Sequence, residues 1–433
     1  MKRNFIMFIN RFKSYFKRYI NINKEIDIKR ISKKLLSKDI IGNFHKFQLA
    51  DPLTADYPKY IKDLYLSNKN IHNANLYLDC ILDSSLVEKD FDEVNYFIDE
   101  ILYHYPKNAK FNYAKGLILE ILNNKKEALK HYQISFEINF DISVAFKIWC
   151  LLEGENKKNF LNHIKKKNYP KVKQKISFYD IEKTSPKTIL DTIENEGLIV
   201  SNIPFIKNAK IFEKRNYENF VNFVSNFDFN KSRSKRMIFF DEVNQSNKDI
   251  YKLINQITID VKKNIYEKFF NDIRNDVIDI PNRMIQFNNN INDANNFSKP
   301  NSLHQLHLDF PRYCNYNKFY TFWTPFVKVG PNISQSLQNV QFPINFPFIT
   351  GSQIKKNDKS HNLNLVENKV FQSFFSNFLS EPLELDIGDI FIFGSKILHK
   401  TYWDQNMNSN RYSIDYRFML RNMTEIKQVS DHL

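Results

Sequence analysis

The sequence predicts a multidomain α+β protein, with N-terminal all-α helical repeats followed by a β sandwich or barrel that carries flanking helices. Three observations support that prediction. At 433 residues the chain exceeds one ordinary domain and can bury two or three cores. From about residue 71 to 155 apolar positions recur at the helical period, in segments joined by short polar turns such as NNKK at 123–126. From about 180 the pattern changes to short aromatic and β-branched runs: GLIVSNIPF, RMIQFN, KFYTFWTPFVKV, PLELDIGDIFIFG and RYSIDYRFML. Asn-, Ser- and Pro-rich segments separate these runs, which therefore read as strands, with a helix over 246–270 packed outside them.

Taken in order, the chain divides into a basic N-terminal helical segment (1–70), helical repeats (71–155), a Lys-rich linker (156–179) and a β domain (180–433). The first segment places Phe5, Phe8, Phe12, Phe16 and Tyr19 at helical spacing, with Arg11, Lys13, Lys17 and Arg18 between them. Such a helix can make peripheral contact with an anionic membrane surface, but packing onto the next helices is the favoured reading. In the repeats, FNYAKGLILEILNNKKEALKHYQISFEIN spaces Gly116, Ala128 and Tyr132 as a tetratricopeptide repeat spaces its small and aromatic positions. One repeat earlier, at a period of about 34 residues, come Val94 and Ile98, with Pro106 closing the second helix. One repeat later ISVAFKIWCLLE opens another first helix. This resembles a short tetratricopeptide array, a fold that offers a concave face to protein partners. The linker KKNFLNHIKKKNYPKVKQK reads as a solvated helix or connector.

Composition narrows the function classes. Lys+Arg 63 against Asp+Glu 48 gives a net charge of +15. The lysines are spread along the whole chain and arginine is scarce where a nucleic-acid reader would need it, so no nucleic acid partner is expected. The three cysteines, Cys80, Cys150 and Cys314, form no CxxC pair, which points to a reducing, cytoplasmic location. No apolar run approaches the roughly 18 residues of a membrane span.

The chemistry concentrates at HQLHLDF, 304–310, in a chain with ten histidines. In an extended strand His307 and Asp309 share a face, about 7 Å apart, with His304 opposite. Two ligands seldom hold a catalytic ion. A third is available in IGDIFIFGSKILHKTYWDQ: Gly388 and Asp389 form a turn, 390–393 is a buried strand, and His399 follows it. His307, Asp309 and His399 make a two-histidine, one-carboxylate set, which on non-haem Fe(II) leaves positions open for a chelating cosubstrate and O2. Downstream, Arg411 offers a planar fork for a carboxylate, and Thr401 shares a strand face with His399. Together they would seat the distal carboxylate of 2-oxoglutarate. Arg417 has the same parity as Arg411 and is the rival anchor, about 20 Å further along the strand.

From about 180 to 420 the order and spacing of these motifs resemble the phytanoyl-CoA dioxygenase-like family of Fe(II)/2-oxoglutarate-dependent oxygenases. The matching segments are HLD at 307–309, FYTFWTPF, FITGSQ at 348–353, ELDIGDIFIFGSKILHKT and NSNRYSIDYRF. The resemblance implies a double-stranded β-helix, a jelly-roll or cupin-like barrel. It implies iron ligation by His307, Asp309 and His399, a 2-oxoglutarate tail held by Arg411 and Thr401, and Trp323 and Gln286 lining the same pocket. Gln353 stands where the family usually has a histidine outside the triad. Asp309 sets the chain apart from halogenating relatives that lack the carboxylate ligand. The implied reaction is hydroxylation of a small-molecule, lipid or carrier- or protein-bound substrate, releasing succinate and CO2. Two other readings remain. A prolyl-hydroxylase-type protein hydroxylase generally anchors the cosubstrate with lysine, which Arg411 disfavours. A non-catalytic tetratricopeptide protein with a scaffold barrel would have no need of the triad and the arginine together.

Overall fold

A computed structural model describes residues 62–63, 65–88, 91–169, 193, 198–202, 209–228, 232, 237–269, 277–280, 284–288, 306, 317–346, 369–394 and 396–421. The expected N-terminal amphipathic segment lies outside the described residues, as do 170–179 of the linker and 307–309. Residues Asp63–Leu433 cluster as one compact unit.

Six helices come first: α1 (Ile71–Glu88), α2 (Asp92–His104), α3 (Ala109–Ile121), α4 (Lys125–Ile138), α5 (Ile142–Leu151) and α6 (Gly154–Lys166). Side-chain caps start four of them, the first through Asn70, which accepts from Asn73 N at 2.8 Å. Asn108 accepts from Phe111 N, Asn124 from Glu127 N and Asp141 from Ser143 N, each satisfying a backbone donor that the first helical turn leaves without a partner. Between α3 and α4 the chain reverses at Asn123, whose φ of 63° is a left-handed value that asparagine tolerates. At the α3–α4 contact Gly116 lies against Tyr132, and a Cβ at Gly116 would stand 2.5 Å from the Tyr132 ring. A buried ion pair links α5 to this hairpin: Lys147 Nζ lies 2.9 Å from Glu120 Oε2, which also accepts from Tyr132 OH at 2.7 Å.

The second half contains β1 (Leu198–Asn202), α7 (Lys214–Ser225), β2 (Met237–Phe239), α8 (Phe240–Ser246), α9 (Lys248–Phe269), β3 (Val277–Ile280) and β4 (Met284–Asn288). It continues through β5 (Asn317–Pro325), β6 (Ser336–Asn339), α10 (Lys369–Phe375), β7 (Asp389–Gly394), β8 (His399–Tyr402) and β9 (Arg411–Arg421). Seven strands form an antiparallel sheet in the order β1-β7-β5-β9-β4-β2, with β3 also pairing β9. β6 and β8 form a separate two-stranded antiparallel sheet.

Strand alternation divides the large sheet into two faces. Tyr320, Phe322, Ile390, Ile392, Tyr412, Ile414, Tyr416 and Phe418 pack with Phe220, Val224, Val243, Ile254 and Val261 of α7, α8 and α9. The alternate residues Trp323, Phe391 and Phe393 pack with Leu337 of β6 and with Leu383, Leu385 and Ile397. One face of the large sheet is thus covered by helices and the other lies against the small sheet.

A third core joins the first half to the second. Ile142, Ala145 and Phe146 of α5 and Ile164 of α6 share it with Leu306, Val340, Phe342, Phe371, Phe374, Phe375 and Leu398. Asp141 reinforces the junction by accepting from Asn345 N at 2.8 Å. Among the described residues, no helix is long and apolar enough to cross a membrane.

Candidate functional site

The face between the two sheets carries the polar groups. Before β7 the chain turns at Gly388, with φ 91°, and Asp389 closes the turn by accepting from Asp386 N at 2.8 Å. After β7 a short connection leads into β8, where His399 and Thr401 are buried and the alternating Lys400 and Tyr402 are half-buried. His399 pairs with Asn339 and Thr401 with Leu337 in the β6–β8 ladder.

The surroundings of His399 set its tautomer. Its Nδ1 lies 3.1 Å from Ile397 O, and a carbonyl oxygen can only accept, so Nδ1 carries a proton and, in the neutral ring, Nε2 is the lone-pair nitrogen. That is the arrangement in which a histidine serves as a metal ligand, held by a backbone partner on its other nitrogen. The Phe393 ring packs edge-on against the imidazole at 4.6 Å between centroids.

Arg411 opens β9, and only 3% of its surface is exposed. Its guanidinium carbon lies 5.5 Å from the centre of the Trp323 ring, within cation–π range. Its Nη1 reaches 3.5 Å from Ser336 O on β6. Ser336 adjoins Leu337, the partner of Thr401, so the guanidinium crosses from the large sheet to the strand beside Thr401. Arg411 thus contacts Trp323 and reaches β6, whose next residue, Leu337, pairs with Thr401. Gln286 stands across from Ser413 in the β4–β9 ladder, two residues from Arg411, and its side chain lies outside what the structure describes.

Arg417 is held differently. Its Nη2 lies 2.9 Å from Asp415 Oδ2, and its side chain is 29% exposed where that of Asp415 is 4% exposed. The inner positions of β9 thus read Arg411, Ser413, Asp415 and Arg417. Ser413 Oγ is buried with no hydrogen-bond partner among the described residues. Sequence reasoning singled out the two arginines and missed Ser413 and Asp415. The signal was present in RYSIDYR, where polar and apolar residues alternate with the period of a strand that is polar on one buried face.

His307 and Asp309, the other two expected ligands, lie outside the described residues, as do His304, Cys314 and FITGSQ. Among the described residues, no three His, Cys, Asp or Glu side chains come together as a metal site. The one described member of the triad, His399, fits an iron ligand through its tautomer and its burial.

No family model matches the chain, and no curated protein matches it. Among solved structures, the crystal structure of AviO1 from Streptomyces viridochromogenes Tue57 aligns over 54% of this chain and 94% of that chain, with 9% sequence identity and a TM-score of 0.32. A likeness at that level carries no argument about this chain.

Proposed function

We propose that the chain is a non-haem Fe(II)- and 2-oxoglutarate-dependent oxygenase. It would hydroxylate a small-molecule, lipid or carrier- or protein-bound substrate and release succinate and CO2. The observation that carries this reading is the buried Arg411 guanidinium, which packs on Trp323 and reaches β6, the strand paired with the one that bears His399 and Thr401. A guanidinium presents a planar donor fork that matches a carboxylate, such as the distal one of a dicarboxylate cosubstrate.

On this reading His307, Asp309 and His399 hold the iron, which supplies the redox chemistry with O2 when bound. The protein's residues bind, orient and exclude water. His399 keeps its proton on Nδ1 through Ile397 O and so presents Nε2 to the metal. Arg411 and Thr401 receive the distal carboxylate of 2-oxoglutarate, with the indole of Trp323 packed beneath the guanidinium. Trp323, Leu337, Phe391 and Phe393 keep that interior dry, which strengthens the charge pairing within it. The double-stranded β-helix belongs to the same proposal: the large sheet and the β6–β8 pair would be its two sides.

The test needs no substrate. Anaerobic protein titrated with Fe(II) and 2-oxoglutarate should develop the visible charge-transfer band of the chelate, and His399→Ala should abolish it. A folded wild-type protein with no band and no saturable iron binding would sink the assignment.

A further inference from the structure

We propose that α3, the turn between α4 and α5, and the start of α5 form a groove for an extended, uncharged segment with apolar side chains at alternate positions. Residues 342–346 of the same chain fill it, and a partner segment of that chemistry enters by displacing them. The occupying residues are Phe342, Pro343, Ile344, Asn345 and Phe346. Phe342, Ile344 and Phe346 are buried, Pro343 is half-buried and Asn345 is exposed. That alternation is the period of an extended chain with one face turned inward.

The helices meet each inward side chain separately. Phe346 stacks on Tyr113 of α3, with ring centroids 5.3 Å apart and planes 23° from parallel. Phe342 packs edge-on against Phe140, in the α4–α5 turn, at 5.2 Å between centroids. Ile344 lies in the core that also holds Ile142 and Ala145 of α5. One polar group serves the backbone. Asp141 caps α5 by accepting from Ser143 N through Oδ1, and its Oδ2 accepts from Asn345 N at 2.8 Å. Apolar pockets for alternate side chains, with an acceptor for an amide between them, are how proteins read an extended peptide. Beside Asp141 these walls are apolar, so a charged side chain entering them would go unpaired.

The backbone of the segment is tied to the other half of the molecule. Val340 N, Gln341 N and Ile344 N donate to Leu398 O, Phe378 O and Lys396 O, all in the second half of the chain. That half therefore presents the segment, and the helical half receives its side chains as a receptor receives a ligand. A ligand carried on the same chain acts at an effective concentration on the order of millimolar, so a free peptide competes poorly until the resident segment is weakened.

The experiment uses the full chain and a fluorescently labelled peptide with the sequence of residues 341–346, with binding read by anisotropy and folding by thermal denaturation. Ile344→Asp combined with Phe346→Asp sets two carboxylates against Asp141 and an apolar wall, which expels the resident segment and leaves the groove's own residues untouched. Phe346→Asp alone takes its place where the pair does not fold. The peptide should bind the opened variant at least about tenfold more tightly than wild type. N-methylation of the peptide at its asparagine removes the amide donor and should weaken that binding roughly tenfold, and Tyr113→Ala in the opened variant should weaken it similarly. A folded, opened variant that binds no peptide overturns the proposal. Equal binding to wild type and to the opened variant puts the peptide elsewhere and overturns it as well. Binding that responds neither to N-methylation nor to Tyr113→Ala is unspecific adhesion, with the same consequence.

Discussion

Arg411 and Arg417 have the same parity on the same strand, yet their surroundings differ. Arg411 is buried over an indole and reaches a carbonyl at 3.5 Å, and Arg417 pairs with a carboxylate at 2.9 Å. A charge-assisted hydrogen bond contributes about 1.5–3 kcal/mol, so Arg411→Ala should raise the 2-oxoglutarate concentration for half-formation of the chelate band by roughly 10- to 150-fold. Arg417→Ala should change it by less than about threefold, since that guanidinium pairs with Asp415. The opposite ranking in a band titration would move the anchor to Arg417. The alternation in RYSIDYR made the parity of both arginines legible in the sequence. The pairing of Arg417 with Asp415 was not, because which of two equivalent side chains a carboxylate captures depends on rotamers and on the neighbouring strand.

At the scale of elements, the α3–α4 hairpin was readable from the spacing of Gly116, Ala128 and Tyr132. The structure supplies the reason for a small residue at 116, since the Tyr132 ring occupies the space a methyl group would need. Tyr132 is itself held by its bond to Glu120 and cannot yield cheaply. Gly116→Ala should therefore destabilise the protein by about 1–3 kcal/mol through overpacking, although alanine is the better helix former by about 1 kcal/mol. A denaturation midpoint unchanged or raised would show that the helices can part. The Lys-rich stretch proved harder to read. Its first part is helix α6, anchored by Ile164, which is buried among a run of charged residues. Phe160, Leu161 and Ile164 cover little more than one helical turn, too short a periodic signal to separate a docked helix from a solvated one.

At the scale of the molecule, Asp141 ties the helical half to residue 345. Burial pushes its carboxyl above the ordinary aspartate range, partly offset by hydrogen bonds from Ser143, Asn345 and Val144. A raised folded-state value means that folding favours the protonated form. The associated stability is fully present below the ordinary aspartate value and is lost as pH rises through the raised one. Asp141→Asn cannot titrate, so the wild type should lose stability relative to this variant between mildly acidic and neutral pH. Denaturant unfolding at both pH values checks this, and a constant difference would place the carboxyl in a better-solvated setting than its burial indicates.

What the sequence determined by itself was local and periodic: helices over about 71–155, short strands in the second half, the turn at Gly388, and the shared parity of His399 with Thr401 and of Arg411 with Arg417. Backbone geometry imposes those periods, so neighbours along the chain suffice to read them. What only the tertiary structure decided was which faces meet. It set Arg411 over Trp323 and beside β6, tied Arg417 to Asp415, and buried Leu306 and Leu398 in one core with α5 and α10. Those contacts join residues far apart in sequence, and they follow from how layers pack to exclude water, which no local window of the chain records.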